Sequence, residues 1–108
     1  MEKFSYVNAK TVNQVPSLLD DSWGHTKVIA GGTDLVGEMK DYIETPKKLV
    51  NLKTIPDLDK IEVTDSGVTI GALVTLSELA SHTEIKEYYE VLAQAASAVA
   101  TPQIRNVG

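Results

Sequence analysis

Apolar and polar positions alternate over Phe4, Ser5, Tyr6 and Val7, a period of two that predicts a short strand. The period then lengthens. Val12, Val15, Leu18 and Leu19 recur at helical spacing behind Thr11-Val12-Asn13-Gln14, a capping box with Thr11 as N-cap. Pro16 lies inside this helix, early enough to distort its first turn without breaking it. Asp21-Ser22-Trp23-Gly24 closes the helix, and Lys27 to Ala30 returns as a second strand. Leu35, Val36 and Met39 form an apolar stripe on a short helix, which assigns all three to the core. After Pro46, Lys48-Leu49-Val50-Asn51-Leu52 gives a third strand with Leu49 and Val50 on opposite sides, the pattern of a buried strand.

The second half begins with two alternating runs, Ile61 to Val63 and Val68 to Ala72, around the turn signal Thr64-Asp65-Ser66-Gly67, and so predicts a hairpin. Gly71 interrupts its second strand. A glycine there marks a bulge, or a place where another backbone or a ligand comes close. Thr75-Leu76-Ser77-Glu78 is a second capping box, and Leu76, Leu79 and Ala80 supply the face of the helix it starts. Ile85, Tyr88, Tyr89, Val91, Leu92, Ala95, Ala96 and Val99 continue as a helix of small residues until Thr101-Pro102 stops it. The order β-α-β-α-β, then hairpin, then helices predicts an α+β fold.

With 108 residues, 43% apolar and 23% charged, the chain has ordinary globular composition. A net charge of −5, with no basic cluster beyond Lys47-Lys48, argues against nucleic acid or an anionic membrane as partner. The absence of cysteine excludes disulfides, thiol catalysis and an iron–sulfur cluster held by these residues. No apolar stretch is long enough for a membrane span, and the start Met1-Glu2-Lys3-Phe4 lacks a signal core, so the expected location is the cytoplasm. His25 and His82 stand in polar surroundings without metal-ligand or triad spacing and are assigned to the solvated surface. Asp57, Asp59, Glu62 and Asp65 are spread over a loop and hairpin and read as a solvated face. No catalytic residue and no metal site is predicted.

One segment carries candidate chemistry. Ala30-Gly31-Gly32-Thr33-Asp34-Leu35 joins a strand to a helix through two glycines, which let the backbone turn sharply and approach a ligand. The following helix start offers unpaired N–H groups and a positive dipole end, an arrangement suited to phosphate or pyrophosphate. The same junction also serves as a plain tight connection, and the loop alone does not decide between the two.

Four segments in order do more. Lys27-Val28-Ile29-Ala30-Gly31-Gly32-Thr33-Asp34-Leu35-Val36, Leu49-Val50-Asn51-Leu52 with Ile55-Pro56-Asp57-Leu58, Val68 to Glu78, and Thr101-Pro102-Gln103-Ile104-Arg105-Asn106-Val107-Gly108 together resemble the amino-terminal part of the FAD-binding domain of the molybdenum hydroxylase flavoproteins. These are the xanthine dehydrogenase and carbon monoxide dehydrogenase medium-subunit type. The resemblance implies an α+β fold of the molybdopterin dehydrogenase (PCMH-like) type, with a first β-α-β subdomain over about 1–54 and the start of a second α/β subdomain over 55–108.

It also implies FAD as cofactor, bound by Ile29, Ala30, Gly31, Gly32, Thr33, Asp34 and Leu35, its pyrophosphate on the backbone of Ala30 to Asp34 with the Thr33 hydroxyl as a further donor, and Gly71 and Ala72 small because they lie near the cofactor. The Asp34 carboxylate would repel a diphosphate, so helix capping is the expected role of that side chain. Arg105 and Asn106 are expected to fix the chain by hydrogen bonds. In the family a second glycine-rich loop follows directly after the position of Gly108, so this chain is expected to be part of a larger subunit, inactive alone and a weak FAD binder. The implied function is electron transfer: 2Fe–2S clusters on an iron–sulfur subunit pass electrons from a large molybdopterin-binding subunit through FAD to NAD or another acceptor, in a dimer of heterotrimers. A non-catalytic interaction module and a fragment of an FAD-dependent oxidase of similar fold are the alternatives.

Overall fold

Lys48-Leu49-Val50-Asn51 is apolar on both faces and accordingly forms the centre of a sheet. A computed structural model describes residues 1–108 as two units, Met1–Pro56 and Asp57–Gly108. In the first, β1 (Ser5–Asn8), β2 (Thr26–Ile29) and β3 (Lys48–Asn51) make a parallel sheet of order β1-β3-β2. Tyr6 and Lys27 stand opposite Leu49, and Asn8 and Ile29 opposite Asn51. Leu49 and Val50 are both buried although they point to opposite faces, as a central parallel strand requires. Removing Val50 from water contributes about 1.5–3 kcal/mol.

The helices of this unit are shorter than the sequence pattern predicts. Thr11 caps as expected, accepting the Gln14 N–H at 3.1 Å, while the Gln14 side chain accepts the Lys10 N–H at 2.7 Å. Only a 3-10 turn (Val12–Gln14) and a single α-helical turn, α1 (Val15–Leu18), follow. Pro16 stands in the first turn of α1, where its missing N–H costs nothing, and Leu19 is already extended. α2 (Leu35–Lys40) buries Met39 alone. Leu35 is half-buried and Val36 exposed, so the stripe assigned to the core contributes one anchor rather than three. Six residues are too few turns to align a wider face against the sheet.

In the second unit, β4 (Ile61–Thr64) and β5 (Gly67–Ile70) form the expected antiparallel hairpin, with Val63 opposite Val68. Its apolar side packs with α3 (Leu76–Ser81), α4 (Thr83–Tyr88) and α5 (Glu90–Ala98) around Leu79, Ile85, Ala93 and Ala96. The helix expected to run from Ile85 to Val99 is divided. Tyr89, at φ −135° and ψ 51°, separates α4 from α5, and Val99 is extended. The alanines Ala93 and Ala96 allow the helices to approach closely. Thr101-Pro102 ends nothing but starts α6 (Pro102–Arg105), Thr101 accepting the Ile104 N–H and proline standing in the first turn.

Candidate functional site

β2 ends at Ile29 and α2 begins at Leu35, leaving Ala30 to Asp34 outside regular structure. Ile29 is held before the loop: its N–H side lies in the ladder with β3, and its carbonyl accepts the Leu52 N–H at 3.0 Å. Gly32 has φ +72°, a conformation that L side chains resist, and a Cβ there would sit 3.0 Å from Val36 Cγ2 and 3.3 Å from Ile29 Cδ1. Glycine at this position is therefore demanded by the turn itself and by packing on its inner side. The Gly32 carbonyl accepts the Val36 N–H at 3.1 Å, and that of Asp34 accepts the Glu38 N–H at 3.0 Å.

The N–H groups of Ala30, Gly31, Gly32, Thr33, Asp34 and Leu35 donate to no group of the chain. Six consecutive unpaired donors exceed what a helix start leaves open. Because α2 has only six residues, what this loop can offer an anion is these donors rather than a helix dipole. Thr33 and Asp34 are exposed. The capping role expected for the Asp34 side chain is not found: it makes no capping hydrogen bond, and its backbone at φ −105°, ψ −48° is already helical rather than extended as at a usual N-cap.

In the second unit Gly71 is explained by its own backbone surroundings. Its N–H donates to the Lys60 carbonyl at 2.8 Å, and a Cβ would fall 2.0 Å from the carbonyl oxygen of Leu58, which accepts the Leu73 N–H at 2.9 Å. Close approach of another backbone is thus sufficient reason for glycine at this position, and no strand bulge is involved, since β5 ends at Ile70. Ala72 is exposed. Arg105 donates from Nη1 to the carbonyls of Val99 at 2.8 Å and Ala100 at 3.3 Å, clamping a turn in which Ala100 has φ +48°. Asn106 accepts the Ser77 hydroxyl at 2.6 Å. Both side chains fix the chain, the role expected of them.

The histidines are less idle than a solvated surface assignment supposes. His82, half-buried, accepts the Ile85 N–H at 3.4 Å and caps α4. His25 Nδ1 bonds the Asp20 carboxylate, which also accepts the Thr26 hydroxyl at 3.0 Å and the Ser22 N–H at 3.2 Å. Partial desolvation pushes the Asp20 carboxyl up, but the bonds from Thr26, His25 and Ser22 together outweigh it and hold it below its ordinary value. A lowered folded-state value means stabilisation present above the unfolded-state value of 3.8 and lost as pH falls through the folded one. This carboxylate closes the turn carrying Trp23, the sole tryptophan, with Lys27 Nζ 5.4 Å from its ring centre. Trp23 emission is expected to change as pH falls below about 4 and Asp20 takes up a proton. The Asp20→Asn variant should lack that step; an identical step in the variant overturns the assignment. No three His, Asp or Glu side chains gather in a metal-holding group, and no helix is long and apolar enough to cross a membrane.

Residues 2–108 match the family described as FAD binding domain in molybdopterin dehydrogenase. The chain belongs to this FAD-binding domain family. The nicotinate dehydrogenase FAD-subunit of Eubacterium barkeri is 37% identical over 109 residues, covering 100% of this chain and 37% of that subunit. The FAD-binding subunit of an Escherichia coli aldehyde oxidoreductase is 42% identical over 107 residues, covering 98% of this chain and 33% of that subunit. Among solved structures, carbon monoxide dehydrogenase of Hydrogenophaga pseudoflava superposes with a TM-score of 0.90 at 34% identity, over 99% of this chain and 37% of that one. This FAD-binding domain chain therefore spans about a third of the length of its relatives. The α+β architecture expected from the sequence is that of these structures.

Proposed function

We propose that Ile29 to Leu35 form a diphosphate-holding loop of an FAD site in the electron-transfer subunit of a molybdenum-containing dehydrogenase complex. The observation that carries this reading is the run of unpaired N–H donors from Ala30 to Leu35 in a chain of the FAD-binding family. Charge-assisted hydrogen bonds from backbone N–H groups hold a diphosphate without adding a side-chain charge, and Gly32 keeps the loop in the one conformation that leaves them unshielded. The Thr33 hydroxyl is placed to add a donor, and the Asp34 carboxylate, free of capping duty, stays in solvent while its N–H serves. When bound, FAD supplies the redox chemistry; these residues bind and orient it.

On this reading the electrons reach the FAD from partner subunits. An iron–sulfur subunit carries 2Fe–2S clusters, a large subunit carries molybdopterin, and the acceptor is NAD or another oxidant, the whole assembling as a dimer of heterotrimers. The test is isolation of the native complex, followed by flavin analysis and mass spectrometry. One FAD per copy, with a cysteine-rich and a large molybdopterin-binding partner, is the expected outcome. A lone protein whose flavin is reduced directly by a small substrate overturns it in favour of an oxidase.

A further inference from the structure

Asn51 is the one buried polar residue, 8% exposed, and the cofactor loop makes no use of its side chain. Its amide donates from Nδ2 to Asn8 Oδ1 at 3.0 Å, tying the end of β3 to the end of β1. Its Oδ1 accepts the Lys53 N–H at 3.1 Å, closing an Asx turn around Leu52. The backbone completes the brace: the Asn51 carbonyl accepts the Ala9 N–H at 3.1 Å, and the Thr54 hydroxyl donates to the Ala9 carbonyl. Leu52, inside that Asx turn, gives its N–H to the Ile29 carbonyl at 3.0 Å. Ile29 is the residue opposite Asn51 in the ladder, and its side chain is packed against the inner side of Gly32.

A chain of direct contacts therefore runs from the Asn51 amide, through the Leu52 peptide, to Ile29 and the glycine loop. We propose that Asn51, with Asn8, is a positioning residue for the cofactor loop, fixing the Ile29 peptide from which the unpaired donors start. The inference rests on the reading of that loop as a diphosphate site. Asparagine is disfavoured in strand interiors, and burying its amide is costly unless every bond is made, so its presence at the end of the central strand calls for a reason beyond packing.

The experiment uses the full-length subunit and measures FAD dissociation by flavin fluorescence, the visible circular dichroism of the bound flavin, and thermal unfolding. Asn51→Leu, close in volume but without the amide, is expected to bind FAD about tenfold more weakly, with an altered flavin dichroism. Asn8→Ala, at an exposed strand end and safe for folding, is expected to weaken binding about fivefold and guards against an Asn51→Leu protein that fails to fold. Asn8→Asp, at the exposed strand end, keeps an acceptor for the Asn51 amide, so affinity and dichroism should stay within about twofold of the parent. Parental affinity in both Asn51→Leu and Asn8→Ala overturns the proposal, as does an Asn8→Asp protein as weak as Asn8→Ala. Gly32→Val, measured beside them, separates the two failures: if it keeps its FAD, the loop reading falls, and if it alone loses FAD, only the role of Asn51 does.

Discussion

Gly32→Val in the full-length subunit is expected to lose FAD while the remainder of the fold persists. The backbone at φ +72° is strained for any L residue and more so for a β-branched one, by about 1–3 kcal/mol. The new Cβ would meet Val36 Cγ2 at 3.0 Å and Ile29 Cδ1 at 3.3 Å, so the loop must move away from α2 or from the end of β2. Either movement scatters donors that act together. With two or three charge-assisted bonds lost at about 1.5–3 kcal/mol each, affinity falls at least about a hundredfold. Thr33→Ala, which deletes a hydroxyl and leaves the backbone donors, should cost far less. Gly37→Ala is the control: a Cβ in that α2 position meets nothing within 4 Å, and alanine should raise helix stability by about 1 kcal/mol. Flavin released per subunit and the dissociation constant decide the matter, and a Gly32→Val protein with stoichiometric, tightly held FAD shows that the loop is only a turn.

Gly71→Ala should be the most destabilising single methyl in the chain. Its Cβ would lie 2.0 Å from the Leu58 oxygen and 2.5 Å from the Leu58 carbon, both backbone atoms with no rotamer to escape through. The segment can yield only by breaking the bonds from Gly71 to Lys60 at 2.8 Å and from Leu73 to Leu58 at 2.9 Å. A loss of about 3 kcal/mol or more is expected, at the upper end of overpacking. For a domain of this size that lowers Tm by about 12 °C or more. Calorimetry of the variant against the parent checks it, and a shift within about 2 °C shows that the segment is free to move.

The strands were legible in the sequence because their signals are local. Alternation at Phe4 to Val7, two apolar faces at Leu49 and Val50, and a turn signal at Thr64 to Gly67 each specify an element without reference to the rest. Helix lengths were less so. Periodicity joins Ile85 to Val99 across Tyr89, because an apolar pattern continues through a break when both pieces face one core, and it joins Val12 to Leu19 across the change from 3-10 to α-helical turn after Gln14. The strand-to-helix loop was legible as a glycine pair, but the physical reason for Gly32 was not: a Cβ there would point at Val36 and Ile29, which only the folded turn reveals. Asp20 and Asn51 were missed because their partners are matched by geometry rather than by spacing. Asn51 left one trace, an amide closing an otherwise apolar strand.

The strand order β1-β3-β2 has a consequence for how the first unit comes into being. β1 and β2, successive in the chain, never pair with each other; each bonds only to β3. A nascent polypeptide that has not yet released Asn51 from the ribosome therefore possesses no sheet at all, only two strands awaiting a common neighbour. The glycine loop, whose footing is the rung between Ile29 and Asn51, cannot take shape before that arrival. Sheet and glycine loop are thus born in one event, late in the synthesis of their unit.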